Sequence, residues 1–170
     1  MSPLNKSLRE LVTQTPLVGK VEWIGIRSTK REDLTTVTQI EASVARGLAG
    51  DHYAGRSAKR QVTLIQAEHL KAVAEILGKS SPIAPNLTRR NLVISGINLL
   101  AFKDLQFQIG AEVILEMTGL CHPCSRMEEN LGPGGYHAMR SHGGITAKVI
   151  QGGSISLGDP VRLLATGTTD

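Results

Sequence analysis

The chain's two cysteines, Cys121 and Cys124, lie three positions apart in the stretch Thr118 to Gly144, which also holds His122, His137 and His142. Ser125-Arg126-Met127-Glu128 follows directly in the Ser-x-x-Glu form of a helix capping box, so the pattern predicts a short helix with Cys124 just outside its first turn. At such a position, free backbone N–H groups and the positive end of the helix dipole favour a thiolate over a thiol. A thiolate is both a nucleophile and a soft-metal ligand. The alternative reading is a pair of small buried hydrophobes, since free cysteine is among the most buried residue types.

The same stretch carries a second possible chemistry. Cys121-x2-Cys124, twelve residues to His137 and four more to His142 match the spacing of a two-Cys two-His zinc finger. A finger needs its histidines on one helix, however, and Gly132-Pro133-Gly134-Gly135 stands directly before His137 and is expected to break it. Spacing alone therefore does not establish a structural zinc.

Basic and polar groups elsewhere suit an anionic ligand. Arg56, Lys59 and Arg60 cluster, as do Arg89 and Arg90, and arginine's planar fork matches phosphate and carboxylate geometry. A solvated surface would look the same in sequence. The loop Gly47 to Gly55 places three glycines around Asp51 and His52, where the backbone can bend tightly or approach a ligand closely, although glycine punctuates ordinary turns as well.

The elements that must position these groups are mostly strands. Segments Val18 to Ile26, Thr36 to Val44, Arg60 to Ile65, Asn91 to Ile94, Leu105 to Ile109, Ala111 to Met117, Thr146 to Ile150, Ser154 to Leu157 and Val161 to Leu164 are β-branched, apolar or alternating. Gln66 to Leu77 keeps helical spacing and ends at Gly78. Ser2-Pro3 with Leu4, Leu8, Leu11 and Val12 reads as a capped amphipathic helix docked on the body. Many short strands, few helices and frequent glycine turns predict a mainly β, α+β fold, barrel-like with a few peripheral helices. The expected organisation is one domain over 1–170, with a core at about 18–165, a lead-in over 1–17 and a frayed tail over 166–170.

Composition narrows the function classes. A chain of 170 residues with 41% hydrophobic content can bury a real core. Net charge is +4, and the aromatics number one Trp, two Tyr and two Phe. Few stacking platforms and a mild charge argue against a nucleic-acid partner. Two cysteines do not make a disulfide scaffold, and no apolar run reads as a signal peptide or a membrane span. A reducing, cytoplasmic setting without membrane attachment is expected.

Several separated motifs share the order and spacing of one family. The Gly47–Gly55 loop, Arg60-Gln61-Val62-Thr63-Leu64-Ile65, Asn91-Leu92-Val93-Ile94-Ser95-Gly96, Pro123-Cys124, Gly143-Gly144-Ile145 and Gly158-Asp159-Pro160-Val161 resemble the MOSC domain across residues 18 to 165. This module occurs at the C-terminus of molybdenum-cofactor sulfurases and in mitochondrial amidoxime-reducing proteins, and the chain looks like a stand-alone bacterial-type member. The resemblance implies a β-barrel and a cysteine, matched by Cys124, that carries sulfur or binds the molybdenum of the pyranopterin cofactor. Cys121 is extra to the family pattern. The resemblance also puts Arg60, Arg89, Lys59 and Asn91 where relatives hold the cofactor's phosphate and pterin, with Asp51 and His52 in the same cleft. A family-level association with pyridoxal phosphate comes with it.

Three functions follow as expectations. The first is a molybdenum-cofactor enzyme reducing N-hydroxylated small molecules, with Cys124 as metal ligand, His142 as proton donor or plain turn residue, and electrons from a separate reductase. The second is a sulfur carrier or transferase holding a persulfide on Cys124, loaded by a cysteine desulfurase, with Cys121 able to release the sulfur. The third is a zinc- or nucleic-acid-binding module.

Overall fold

The structure, a computed structural model, describes residues 5–53 and 58–165. Eleven strands and four α-helices alternate along it: α1 (Leu8–Thr13), β1 (Gly19–Ile26), β2 (Thr35–Val37), β3 (Gln39–Ser43), β4 (Gly47–Leu48), β5 (Val62–Gln66), α2 (Ala67–Ile76), β6 (Leu92–Ser95), β7 (Gln106–Ile109), β8 (Val113–Leu120), α3 (Ser125–Leu131), α4 (Gly135–Met139), β9 (Ile145–Gln151), β10 (Gly153–Ser156) and β11 (Pro160–Leu163).

Seven of the strands close on themselves. The order β11-β7-β8-β9-β5-β6-β1 is completed by Gly19 and Lys20 of β1 pairing with Val161 and Pro160 of β11. Closure removes the unpaired edges that an open sheet would expose. All neighbours are antiparallel except β5 and β6, whose parallel pairing requires the crossover that α2 supplies. β2 extends the end of β1, and β10, β3 and β4 form a small second sheet.

Period-two alternation sorts the side chains into two cores. Val62 and Leu64 of β5, Leu92 and Ile94 of β6, Phe107 and Ile109 of β7, and Val113 and Leu115 of β8 fill the barrel. Ile65 and Val93 face the other way and pack with Leu70, Val73 and Ala74 of α2, Met127 and Leu131 of α3, and Ala138 and Met139 of α4. A bulge in β1 after Val21 inserts one residue, which leaves Trp23 packed with that outer layer while Val21 and Ile24 stay inside.

Some local expectations shift. The first helix is capped by Ser7, whose hydroxyl accepts from the Glu10 amide while the Glu10 carboxylate accepts from the Ser7 amide; this reciprocal box, not Ser2-Pro3, fixes its start. Residues 1–4 lie outside the described residues, and Leu8, Leu11 and Val12 are exposed rather than docked. The predicted strand over 36–44 breaks at Thr38, because β2 must pair with β1 and β3 with β10 in different sheets. At the cysteines, Cys124 is the N-cap of α3 as expected, yet no capping box forms. Glu128 instead accepts from the backbone N–H groups of Gly134 and Tyr136, both at 2.9 Å, and so starts α4 inside the glycine run that was expected to break a helix there. Arg56 and the tail over 166–170 lie outside the described residues.

Candidate functional site: an arginine-ringed hollow beside Cys124

At one end of the barrel, β1 finishes, β5 and β6 begin, and β8 hands over to the cysteine segment. The loops at this end enclose a hollow of about 170 Å³ lined by Arg27, Asp51, Tyr53, Arg60, Thr63, Arg89, Arg90, Asn91, Cys121, His122 and Cys124. Each group is delivered by a short excursion from a rigid strand. Arg27 follows β1, Arg60 closes the 3-10 turn Ala58–Arg60 that leads into β5, and Arg89 and Arg90 precede β6.

Arg89 holds a left-handed backbone, φ 61°, at the end of the 3-10 turn Pro85–Thr88. A non-glycine residue there costs about 1–2 kcal/mol, and such strain gathers at functional sites.

Polar cross-links fix the frame of the hollow. The buried Asn91 side chain accepts from the Thr63 amide at 3.1 Å and donates to the Gly25 carbonyl at 3.2 Å and to Asp51 Oδ1 at 3.3 Å. Asp51, also buried, accepts from the amides of Arg27 (3.1 Å) and Tyr53 (3.3 Å), which clamps the glycine loop to the end of β1. Both were expected to hold a ligand. Both line the hollow, but their hydrogen-bonding capacity is largely spent on the protein itself.

The guanidinium groups are arranged differently. Arg90 is buried at 6% exposure and donates only to carbonyls: Nε to Gly143 (2.7 Å), one terminal nitrogen to Thr88 (2.8 Å) and the other to Cys121 (3.3 Å). Arg27 and Arg89 converge on a single acceptor, the Lys30 carbonyl, at 3.4 and 2.9 Å. Among the described residues, no carboxylate lies within 4.0 Å of a side-chain nitrogen of Arg27, Arg60, Arg89 or Arg90. Four like charges around one cavity, without ion-pair partners, favour a bound anion; Arg90's fork is taken up by carbonyls, and those of Arg27, Arg60 and Arg89 are left to meet its oxygens.

Cys124 is exposed at the rim of this hollow, whereas Cys121 is buried in its wall. The segment between them runs without a turn from the end of β8 to α3. Its register is set by Cys121 N–H donating to the Gly144 carbonyl at 2.9 Å and by Arg90 holding the Cys121 carbonyl. Gly143 and Gly144 make this approach possible. A Cβ on Gly143 would collide with the Cys121 carbonyl oxygen, and one on Gly144, at φ 83°, would collide with the Leu64 carbonyl oxygen.

Three of the residues expected at the site are placed elsewhere. Lys59 is exposed and contributes its main chain, whose carbonyl accepts from the Thr118 hydroxyl. His52 donates its amide to the Arg27 carbonyl at 2.6 Å, and its side chain does not line the hollow. His142 also lies off the hollow. Its ring meets His69 edge-on, with centroids 5.1 Å apart, and its Nδ1 is 3.1 Å from the Ala138 carbonyl at the end of α4. Burial and the nearby His142 lower the His69 pKa, and His69 Nδ1 is buried without a hydrogen-bond partner.

Arg27, Tyr53, Thr63 and His122 were not singled out from sequence as site residues, and Arg90 was marked only as half of a basic pair with Arg89. Arg27 had one legible signal, a cation immediately after an apolar strand. The four residues that share zinc-finger spacing do not assemble into a metal site: among the described residues, no group of three or more His, Cys, Asp or Glu side chains could hold a metal ion.

A closed seven-stranded barrel in which an exposed cysteine and four arginines line one hollow defines a mainly β domain with a thiol beside a basic cavity. The sequence pattern of the MOSC domain matches residues 35–162, and the chain belongs to that family. Solved structures show the same fold. YuaD from Bacillus subtilis superposes with a TM-score of 0.76 at 18% identity, covering 88% of this chain and 97% of its own. YiiM from Geobacillus stearothermophilus gives 0.67 at 18% identity, with 89% and 77% covered. YiiM from Escherichia coli gives 0.64 at 17% identity, with 86% and 70% covered. No curated protein matches the sequence. Family membership supports molybdenum-cofactor binding in general terms. No helix among the described residues is long and apolar enough to cross a membrane.

Proposed function

We propose that the protein binds the molybdenum cofactor in the arginine-ringed hollow and reduces N-hydroxylated small molecules, with Cys124 as the metal ligand. The observation that carries this reading is that an exposed thiol shares one cavity with four guanidinium groups that lack carboxylate partners among the described residues. That donor set fits the group: a soft sulfur ligand for a sulfur-bound metal, and hard, planar cations for a phosphate. When bound, the cofactor supplies the two-electron chemistry.

The chain's own residues do the rest. Arg27, Arg60 and Arg89 grip the anionic end. Arg90 and Gly143 hold the cysteine segment in register so that Cys124 faces the cavity, and Asp51 and Asn91 keep the loops from closing over it. A separate reductase delivers the electrons in this reading.

The test is metal and pterin analysis of protein purified from a host that makes the cofactor. Wild type carries molybdenum and pterin, Cys124→Ser loses the metal, and Arg89→Gln loses both. Wild type without either would overturn the proposal.

The exposure of Cys124 favours one second reading, a sulfur carrier, because a partner protein can reach this thiol directly. After incubation with a cysteine desulfurase and cysteine, mass spectrometry would show one added sulfur on Cys124. A label retained by Cys124→Ser would sink this reading.

A further inference from the structure

A second hollow of about 400 Å³ stands back to back with the first, lined by Leu100, Leu120, Cys121, His122, Pro123, Arg140, Ser141, Gly143 and Gly144. The two share Cys121 and His122. An extended chain turns successive side chains to opposite sides, and Pro123 and Cys124 divide between the two hollows in this way. Cys124 borders only the arginine-ringed cavity, Pro123 borders only the second, and Cys121 with His122 forms the partition.

The chemistry of the two differs sharply. The first collects four guanidinium groups. The second has walls of Leu100, Leu120, Pro123 and bare glycine backbone, with the single cation Arg140 at its edge. Arg140 has no carboxylate within 4.0 Å among the described residues.

We infer that this second hollow is the recess for the organic substrate, and that it selects a small, flat, apolar molecule bearing one negative charge. Its size falls in the range of small-molecule sites. The apolar walls hold the body of the ligand, and Arg140 pairs with its carboxylate. The ligand's other end then rests against His122, the side chain that also borders the Cys124 cavity. The inference rests on the functional reading above for the word substrate, but the binding it describes does not need a loaded cofactor. It also makes His122, rather than His142, the imidazole placed between ligand and thiol.

Benzoate, benzamide and inorganic phosphate are the probes, read by backbone amide NMR shifts and calorimetry on the full chain. Benzoate is expected to move the Leu100, Leu120, Gly143 and Gly144 amides saturably and to bind about tenfold more tightly than benzamide, about 1.4 kcal/mol. Arg140→Gln should reduce benzoate to the level of benzamide, and Leu120→Asp should abolish binding of benzoate. Phosphate should move Arg27, Thr63 and Asn91 without displacing benzoate, and Arg89→Gln should weaken phosphate alone. Benzoate displaced competitively by phosphate, or unaffected by Arg140→Gln, would overturn the inference. Phosphate failing to bind while benzoate behaves as described would instead count against the cofactor reading and leave the second recess standing.

Discussion

Arg90 gives the sharpest test of how the site is held. Replacing it with methionine keeps most of the aliphatic stem but removes three charge-assisted hydrogen bonds, to the carbonyls of Gly143, Thr88 and Cys121. Hydrogen bonds from charged donors contribute roughly 1.5–3 kcal/mol each. Against their loss stands the relief of burying an ion, several kcal/mol; the cost of ordering the side chain is about the same for arginine and methionine and cancels. The three carbonyls are left behind, and acceptors with two lone pairs tolerate this better than orphaned donors do.

The balance is a destabilisation of about 3 kcal/mol. With a urea slope of about 2 kcal/mol per molar, the unfolding midpoint should fall by about 1.5 M. Arg90→Lys keeps the charge but cannot reach three acceptors at once, so its loss should lie near half of that. Phosphate binding should weaken in both variants, because the register of the cysteine segment depends on the same bonds. A midpoint shift below about 0.5 M for Arg90→Met would refute the claim that this guanidinium fastens the segment.

Three further outcomes are expected. His69 has its pKa lowered by burial and by His142, so the fold favours the neutral ring. Its stabilising effect is therefore present above the ordinary value of 6.5 and lost as pH falls below it. His69→Phe, which also removes an unpartnered buried nitrogen, should flatten the stability profile on the acid side of about pH 6.5 in urea titrations. Glu128 is held below its ordinary 4.5 by the Tyr136 and Gly134 amides, so its contribution is present above that value and disappears on acidification. Hydrogen exchange at the Gly134 and Tyr136 amides should be faster in Glu128→Ala than in wild type at neutral pH, with the gap narrowing in acid. Gly143→Ala puts a methyl group against the Cys121 carbonyl, and should lower stability by about 1–3 kcal/mol and change the alkylation rate of Cys124 with iodoacetamide.

Strand content, the crossover helix and the position of Cys124 before α3 were legible in the sequence because each rests on local rules: alternation, helical spacing and chain breakers. The misreadings have a common cause. Ser125 and Glu128 fit a capping box locally, but Glu128 gains two amide donors by reaching forward to the start of α4, and no local rule contains that option. Thr36 to Val44 looked like one strand because each half is a good strand. That the halves belong to different sheets is a matter of pairing across more than a hundred residues for β3 and β10.

The site divides in the same way. Sequence alone marked the residue types that could do the chemistry, a thiol and paired arginines, and the motif order that placed the chain in its family. Strand pairing decided which of them meet. The β1–β6 and β5–β6 ladders bring the end of β1 beside the starts of β5 and β6, so that Arg27 joins Arg60, Arg89 and Arg90 around Cys124, while the turn after α4 carries His142 to the His69 side. Residue type is a property of the chain, but convergence depends on contacts between segments far apart in it, and only the packed barrel fixes those.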